Sequence, residues 1–152
     1  MRFSRACCSS DARWEITSEL LETLPNLPVI IEHLGGIKAA DDPATHGERD
    51  RIFDLARYPN TTMKIHGLGE FCTRNMPATA DFPFDRAGLP LLQRAYDAFG
   101  PGRLMWGSDY PPVAGREGYA KSLSLTMEQL SDKPEADLAQ VFGGVAARVF
   151  GL

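Results

Sequence analysis

Between Trp14 and Leu24 the apolar residues Ile16, Leu20, Leu21 and Leu24 recur at helical spacing, and Pro25 ends the pattern. The spacing predicts an amphipathic helix. The next run, Pro28-Val29-Ile30-Ile31, is continuously apolar and β-branched, which predicts a strand buried on both faces, as parallel α/β sheets require. It closes on Glu32-His33-Leu34-Gly35-Gly36. Residues 38–47 have loop composition, and Thr45 with Glu48 offers a capping-box start. The helix that follows would bury Ile52, Phe53, Leu55 and Ala56 and end before Pro59. Thr61 to Ile65 predicts a second strand, terminating in His66-Gly67.

Residues Phe71 to Asp85 carry several prolines and no period, so they read as a long irregular loop, a place where function often resides. Ala87 to Phe99 predicts a helix, stopped by Gly100-Pro101-Gly102. Arg103 to Trp106 is the third predicted strand, and it runs into Gly107-Ser108-Asp109-Tyr110-Pro111-Pro112. Tyr119 to Leu130 and Glu135 to Phe150 read as helices divided by Ser131-Asp132-Lys133-Pro134.

Helix and strand therefore alternate, which argues for an α/β fold with a parallel sheet and right-handed crossovers. The predicted strand starts lie roughly 30 to 40 positions apart, the length of a βαβ unit with loop insertions. Three strands are visible, against the eight of a closed barrel. Residues 1–152 form one partial domain in this reading. Met1 to Asp11 do not read as a strand, and residues 1–13 are expected to be a disordered or non-native segment.

Composition narrows the function by exclusion. The chain has 152 residues, 43% of them hydrophobic and 24% charged, enough for one modest core and too apolar for disorder. A net charge of -4 without a Lys/Arg cluster gives no general attraction to nucleic acid or an acidic membrane. No apolar run approaches the roughly 20 residues of a membrane helix. The 3 cysteines, with Cys7 and Cys8 adjacent and Cys72 distant, make no disulfide framework, and the expected location is a reducing cytoplasm. The partner expected by elimination is a small-molecule substrate.

Each predicted strand delivers a polar residue at its C-terminal end: His33, His66 and Asp109. Loops converge at the carboxyl ends of parallel strands, so these side chains can enter one crevice. Asp109 can take a proton from water or hold a cation, and an imidazole such as that of His33 can give or take a proton. Tyr110 would line the pocket, with His66 on the substrate side, and Trp106 would pack in the barrel. The plainer readings are a histidine satisfied by nearby backbone and, for Asp109, a turn residue before Pro111. Cys72 reads as a small apolar residue. A nucleotide-binding domain is the rival suggested by Gly67-Leu68-Gly69 after a strand. It fails where a third glycine is needed, because Cys72 stands there and Thr73-Arg74-Asn75-Met76-Pro77 follows.

Three segments together resemble a known family. Pro28-Val-Ile-Ile-Glu-His-Leu-Gly-Gly is similar to the sixth barrel strand of the amidohydrolase-related metal-dependent hydrolases, which include lactonases and decarboxylases. Tyr58-Pro-Asn-Thr-Thr-Met-Lys-Ile-His-Gly-Leu-Gly resembles the seventh, and Arg103-Leu-Met-Trp-Gly-Ser-Asp-Tyr-Pro the eighth. Val141 to Leu152 resembles the terminal helix, so the likeness runs from Trp14 to Leu152. It implies the C-terminal half of a TIM (β/α)8 barrel. It also implies water activation beside Asp109, with His33 polarising a carbonyl or moving a proton, on a small carboxylated or lactone substrate. The resemblance makes Asp109 a ligand to a divalent metal such as zinc in a complete barrel. The family's other ligands, a His-x-His pair on the first strand and a histidine on the fifth, have no match among His33, His46 and His66, and Met1 to Asp11, in the place the resemblance gives the fifth strand, hold no histidine and no strand pattern. Val145 stands where the family has a helix-capping Asn, and His66 where a small residue is commoner. A non-catalytic half-barrel, associating with itself through open edges, is the alternative.

Overall fold

A computed structural model of the chain describes residues 4–6, 13–38 and 50–152. Its sheet has four parallel strands in chain order: β1 (Ser4–Ala6), β2 (Val29–Ile31), β3 (Thr61–Ile65) and β4 (Leu104–Trp106). Ser4 pairs with Val29, Val29 with Thr61, and Met63 with Leu104. The three expected strands are present to within a residue at their starts. β1 is an addition, formed where the sequence pattern does not read as a strand.

The helices are α1 (Arg13–Thr23), α2 (Leu89–Phe99), α3 (Tyr119–Gln129), α4 (Glu135–Ala139) and α5 (Val145–Phe150). Asp50–Arg57 is a 3-10 helix, and the capping-box start expected at Thr45 and Glu48 lies outside the described residues. Residues 71–85 are irregular, with one isolated antiparallel bridge between Arg74 and Phe84. None of the described helices is long and apolar enough to cross a membrane.

Strand alternation decides which side chains meet the helices. Val29, Ile31, Met63, Ile65 and Leu104 share one core with Leu21, Phe53, Leu55, Leu92, Ala95 and Phe99, side chains of the crossover helices. All the crossovers thus cover one face. A doubly wound sheet would have helices on both, whereas a barrel wall has its helices outside only. The fold is half of a (β/α)8 barrel. Each fully buried aliphatic side chain in this core contributes about 1.5–3 kcal/mol.

The opposite face carries Ile30, Thr62, Lys64 and Met105. Its lower part is closed by Val145, fully buried with Ile30 and Met105 and flanked by Ala146 and Val149. The expected capping defect at Val145 does not arise. A π turn over Gln140–Gly144 joins α4 to α5, and both Gly144 and Val145 have helical backbone angles, so the helical backbone runs on into α5 and leaves no free N-terminus there to cap. Val145 is a core residue. The upper part of the same face stays open around Glu32 and Lys64, and the site lies there.

Candidate functional site

β2 runs directly into a 3-10 turn over His33–Gly36. Among the described residues, the non-glycine positions with left-handed backbone are His33 (φ 53), Leu34 (φ 52) and Asp109 (φ 54). Such a conformation costs an L-residue about 1–3 kcal/mol and persists only where the surroundings over-determine it. Here Leu34 is fully buried and anchors the turn to the core. Gly35 (φ 68) lets the turn touch the helix below, since a Cβ there would lie 2.4 Å from Ile52 Cγ1. The turn aims His33 across the strand ends, and His33 Nε2 stands 3.4 Å from Asp109 Oδ1 in the loop after β4.

His66, at the end of β3, stacks on His33 with ring centroids 3.7 Å apart and planes within 7° of parallel. It is only 3% exposed, and its Nδ1 has no hydrogen-bond partner among the described residues. Burial, with the nearby His33 and Lys64, pushes its pKa down to about 3, so the ring is neutral at ordinary pH. Below it, Lys64 Nζ lies 3.2 Å from Glu32 Oε2, and that same oxygen is 3.8 Å from His66 Nε2.

Asp109 is tied on its other side to a chain of charges. Arg116 Nη1 is 3.7 Å from Asp109 Oδ2 and 2.9 Å from Glu70 Oε1. Arg74 donates to Glu70 Oε1 at 3.0 Å and, through Nε, to Glu117 Oε2 at 2.9 Å. The Glu117 side chain is wholly buried, which a carboxylate tolerates only when paired in this way. Sequence reasoning singled out none of Glu32, Lys64, Glu70, Arg74, Arg116 and Glu117. Position alone could have suggested two: Glu32 precedes His33, and Lys64 shares the alternation of the strand that ends at His66.

Glu32, His33, Lys64, His66, Gly107, Ser108, Asp109 and Tyr110 line one open cleft of about 530 Å³. All four residues expected at the site thus meet. Tyr110 is well exposed at the rim, and Trp106 packs edge-on against Tyr119. Cys72 is away from this cleft, and burial pushes its thiol up to about 11, which removes it as a nucleophile at neutral pH. His46 lies outside the described residues. After β3, Leu68–Glu70 is a single 3-10 turn, not the long helix a dinucleotide loop requires.

Two donor triads converge enough to be tested for a metal: Glu32, His33 and His66, and His33, Glu70 and Asp109. The first does not fit. Imidazole lone pairs lie in the ring plane, and two parallel stacked rings direct theirs along separate planes. In the second, the 3.4 Å between His33 and Asp109 matches the roughly 3.4 Å expected between two ligands about 2.1 Å from a tetrahedral zinc. Glu70, however, is held by two guanidiniums. The described residues therefore supply two suitably spaced donors, where a catalytic zinc usually has three from protein.

The amidohydrolase family model matches residues 8–152. An L-fucono-1,5-lactonase of Burkholderia multivorans is 30% identical over 152 residues, covering 96% of this chain and 46% of the relative. Another L-fucono-1,5-lactonase, of Burkholderia ambifaria, is 31% identical over 135 residues, covering 83% and 42%. The chain spans about half the length of the curated relatives it matches. A crystal structure of a Burkholderia multivorans amidohydrolase with bound zinc superposes with a TM-score of 0.76 at 22% identity, over 97% of this chain and 52% of that one. With its family model matched almost end to end and its strands arranged as half of a barrel, the chain belongs to the amidohydrolase family.

Proposed function

We propose that this chain carries the acid–base pair of a hydrolase acting on a small lactone, with His33 and Asp109 as the catalytic residues. The observation that supports this most is their meeting: two groups on different loops, both on left-handed backbone, 3.4 Å apart at the mouth of one cleft. Sugar-lactone hydrolysis is the activity named for both curated relatives, which favours a lactone over an amide or a decarboxylated acid.

In this reading Asp109 takes a proton as water attacks the lactone carbonyl carbon, forming a new C–O bond. His33, protonated, gives its proton to the ring oxygen as the ring C–O bond breaks. Asp109 then returns its proton to His33 across the short gap between them, and both groups are restored. General acid and base catalysis of this kind contributes about 10²–10⁴-fold each. Arg116 holds the second carboxylate oxygen of Asp109, leaving the first to face His33. His66 fixes the orientation of the His33 ring by stacking, and with Tyr110 it forms the substrate-binding wall. No step is routed through a metal, because the donor set here is incomplete.

Turnover by the purified chain of a panel of five- and six-membered lactones, alongside His33→Ala and Asp109→Ala, tests the reading. Hydrolysis that survives both substitutions would refute it.

A second reading has its own observation. Four strands are half of a closed barrel, and among the described residues no strand pairs with β1 on its outer side. A half-barrel that associates with a second copy would form concentration-dependent dimers in sedimentation velocity. A monomer at every concentration would rule it out.

A further inference from the structure

The chemistry proposed above uses the rim of the cleft and leaves its floor unexplained. On that floor Glu32 and Lys64 face each other, with the ammonium 3.2 Å from one carboxylate oxygen and 3.5 Å from the other. Their side chains are 15% and 24% exposed, so the pair is largely desolvated but remains open to the cleft. Burying two charges this far is costly, and hydrophobic residues of like volume would serve stability as well or better. The neighbouring positions of the same sheet face, Ile30 and Met105, are apolar and completely covered.

A second observation points the same way. A Cβ at Gly107 would lie 2.6 Å from Lys64 Cε, so the glycine in Trp106-Gly107-Ser108 leaves the channel through which Lys64 passes to the cleft. The backbone just beyond β4 thus makes room for the end of the Lys64 side chain where the Asp109 loop begins.

We infer that Glu32 and Lys64 are the specificity-determining pair of this site, reading adjacent hydroxyl groups of a neutral, polyhydroxylated lactone. The inference rests on the lactone reading above. Lys64 has donors to spare beyond Glu32 and gives one to a hydroxyl oxygen, while Glu32 accepts from the neighbouring hydroxyl. A vicinal diol matches a carboxylate and an ammonium held side by side. Imidazoles aside, the charged cleft residues are Glu32, Lys64 and Asp109, so Lys64 is offset within its own pair and the lining has no surplus cation. Arg116, the nearest guanidinium to Asp109, is shared between Asp109 and Glu70. With His33 protonated, as the chemistry above requires, Glu32 and Asp109 are balanced by Lys64 and His33, so a substrate bearing carboxylates finds no surplus cation, whereas a neutral polyol finds both partners it needs.

The test uses binding, which does not require turnover. The probes are a six-membered polyhydroxylated lactam, its analogue lacking the hydroxyls next to the carbonyl, and citrate. Each is titrated calorimetrically into the chain and into Lys64→Met and Glu32→Gln, the latter preserving shape should the former fail to fold. The expected result is that the wild-type chain binds the full lactam better than the deoxy analogue and better than citrate. Each substitution then weakens the full lactam roughly ten-fold or more while leaving the deoxy analogue nearly unchanged. Tighter binding of citrate than of lactam, or equal losses for both lactams, would overturn the inference. So would no lactam binding at all. Lactam binding with this pattern but no lactone hydrolysis would defeat the catalytic proposal alone. Hydrolysis whose substrate preference is unchanged by Glu32→Gln would defeat this inference alone.

Discussion

His33 Nε2 and Asp109 Oδ1 lie 3.4 Å apart although 76 positions separate them in the chain. Each sits on left-handed backbone just beyond a strand, at φ 53 and φ 54. His and Asp are among the few residue types that tolerate this region, and a β-branched residue does so poorly. His33→Asn should therefore cost little stability, while His33→Val should cost about 1–2 kcal/mol more. Urea unfolding midpoints of the two variants check this, and equal midpoints would show that the turn is not strained.

His66 gives the fold a specific weakness to acid. Its pKa is about 3 in the folded chain against 6.5 for the free side chain. Above about pH 6.5 both states are neutral and nothing changes. Between there and about pH 3 the unfolded chain takes up a proton that the folded chain excludes. Stability should fall as the pH drops, by at most about 1.4 kcal/mol per pH unit. His66→Gln should flatten that part of the curve. Unfolding curves at pH 7 and pH 4.5 for both proteins give the comparison, and an identical decline in the variant would count against the buried neutral ring.

How far the sequence anticipated these features depended on how local their causes are. Thr61–Ile65 appeared with its predicted bounds because a short β-branched run alternating in burial between turn signals is a local pattern. His33, His66, Asp109 and Tyr110 were found because each closes or follows such a run. β1 was not found. Ser4-Arg5-Ala6 has no apolar signature, and it is a strand only through its ladder with β2. Glu32 with Lys64, and Arg74 with Glu117, were missed because pairs 32 and 43 positions apart have no mark in a linear pattern. Val145 reads as a defective cap only by the resemblance, while the π turn before it carries the helix straight through.

Gly88 allows the turn before α2 to press against the irregular loop. A Cβ there would lie 2.6 Å from the Phe71 carbonyl oxygen and 2.8 Å from Cys72 Sγ, and neither backbone nor a buried thiol yields easily. Gly88→Ala should destabilise the chain by about 1–3 kcal/mol. Gly102→Ala, where nothing lies within 4 Å, should stay within about 0.5 kcal/mol of the wild type. Thermal melts of the pair suffice, and a neutral Gly88→Ala would mean that the loop is not fixed against the turn.

Glu117 anchors the charged chain that ends at Asp109. Removing its charge leaves Glu70 as the remaining charged partner of the half-buried Arg74, so Glu117→Gln should lower stability by about 1–3 kcal/mol, the cost of weakening a charged hydrogen bond at a buried site. Glu117→Asp should recover only part of it, since the shorter arm shifts the carboxylate from Arg74. Denaturant titration would show this, and a loss below about 1 kcal/mol would place the pair among exposed surface bridges.

The most direct test of the account is the rate of acid release from a six-membered sugar lactone, followed at constant pH with the wild-type chain, His33→Ala and Asp109→Ala. The wild type should turn over above the spontaneous rate, and each variant should fall by about 10²-fold or more. Equal rates in all three would contradict it.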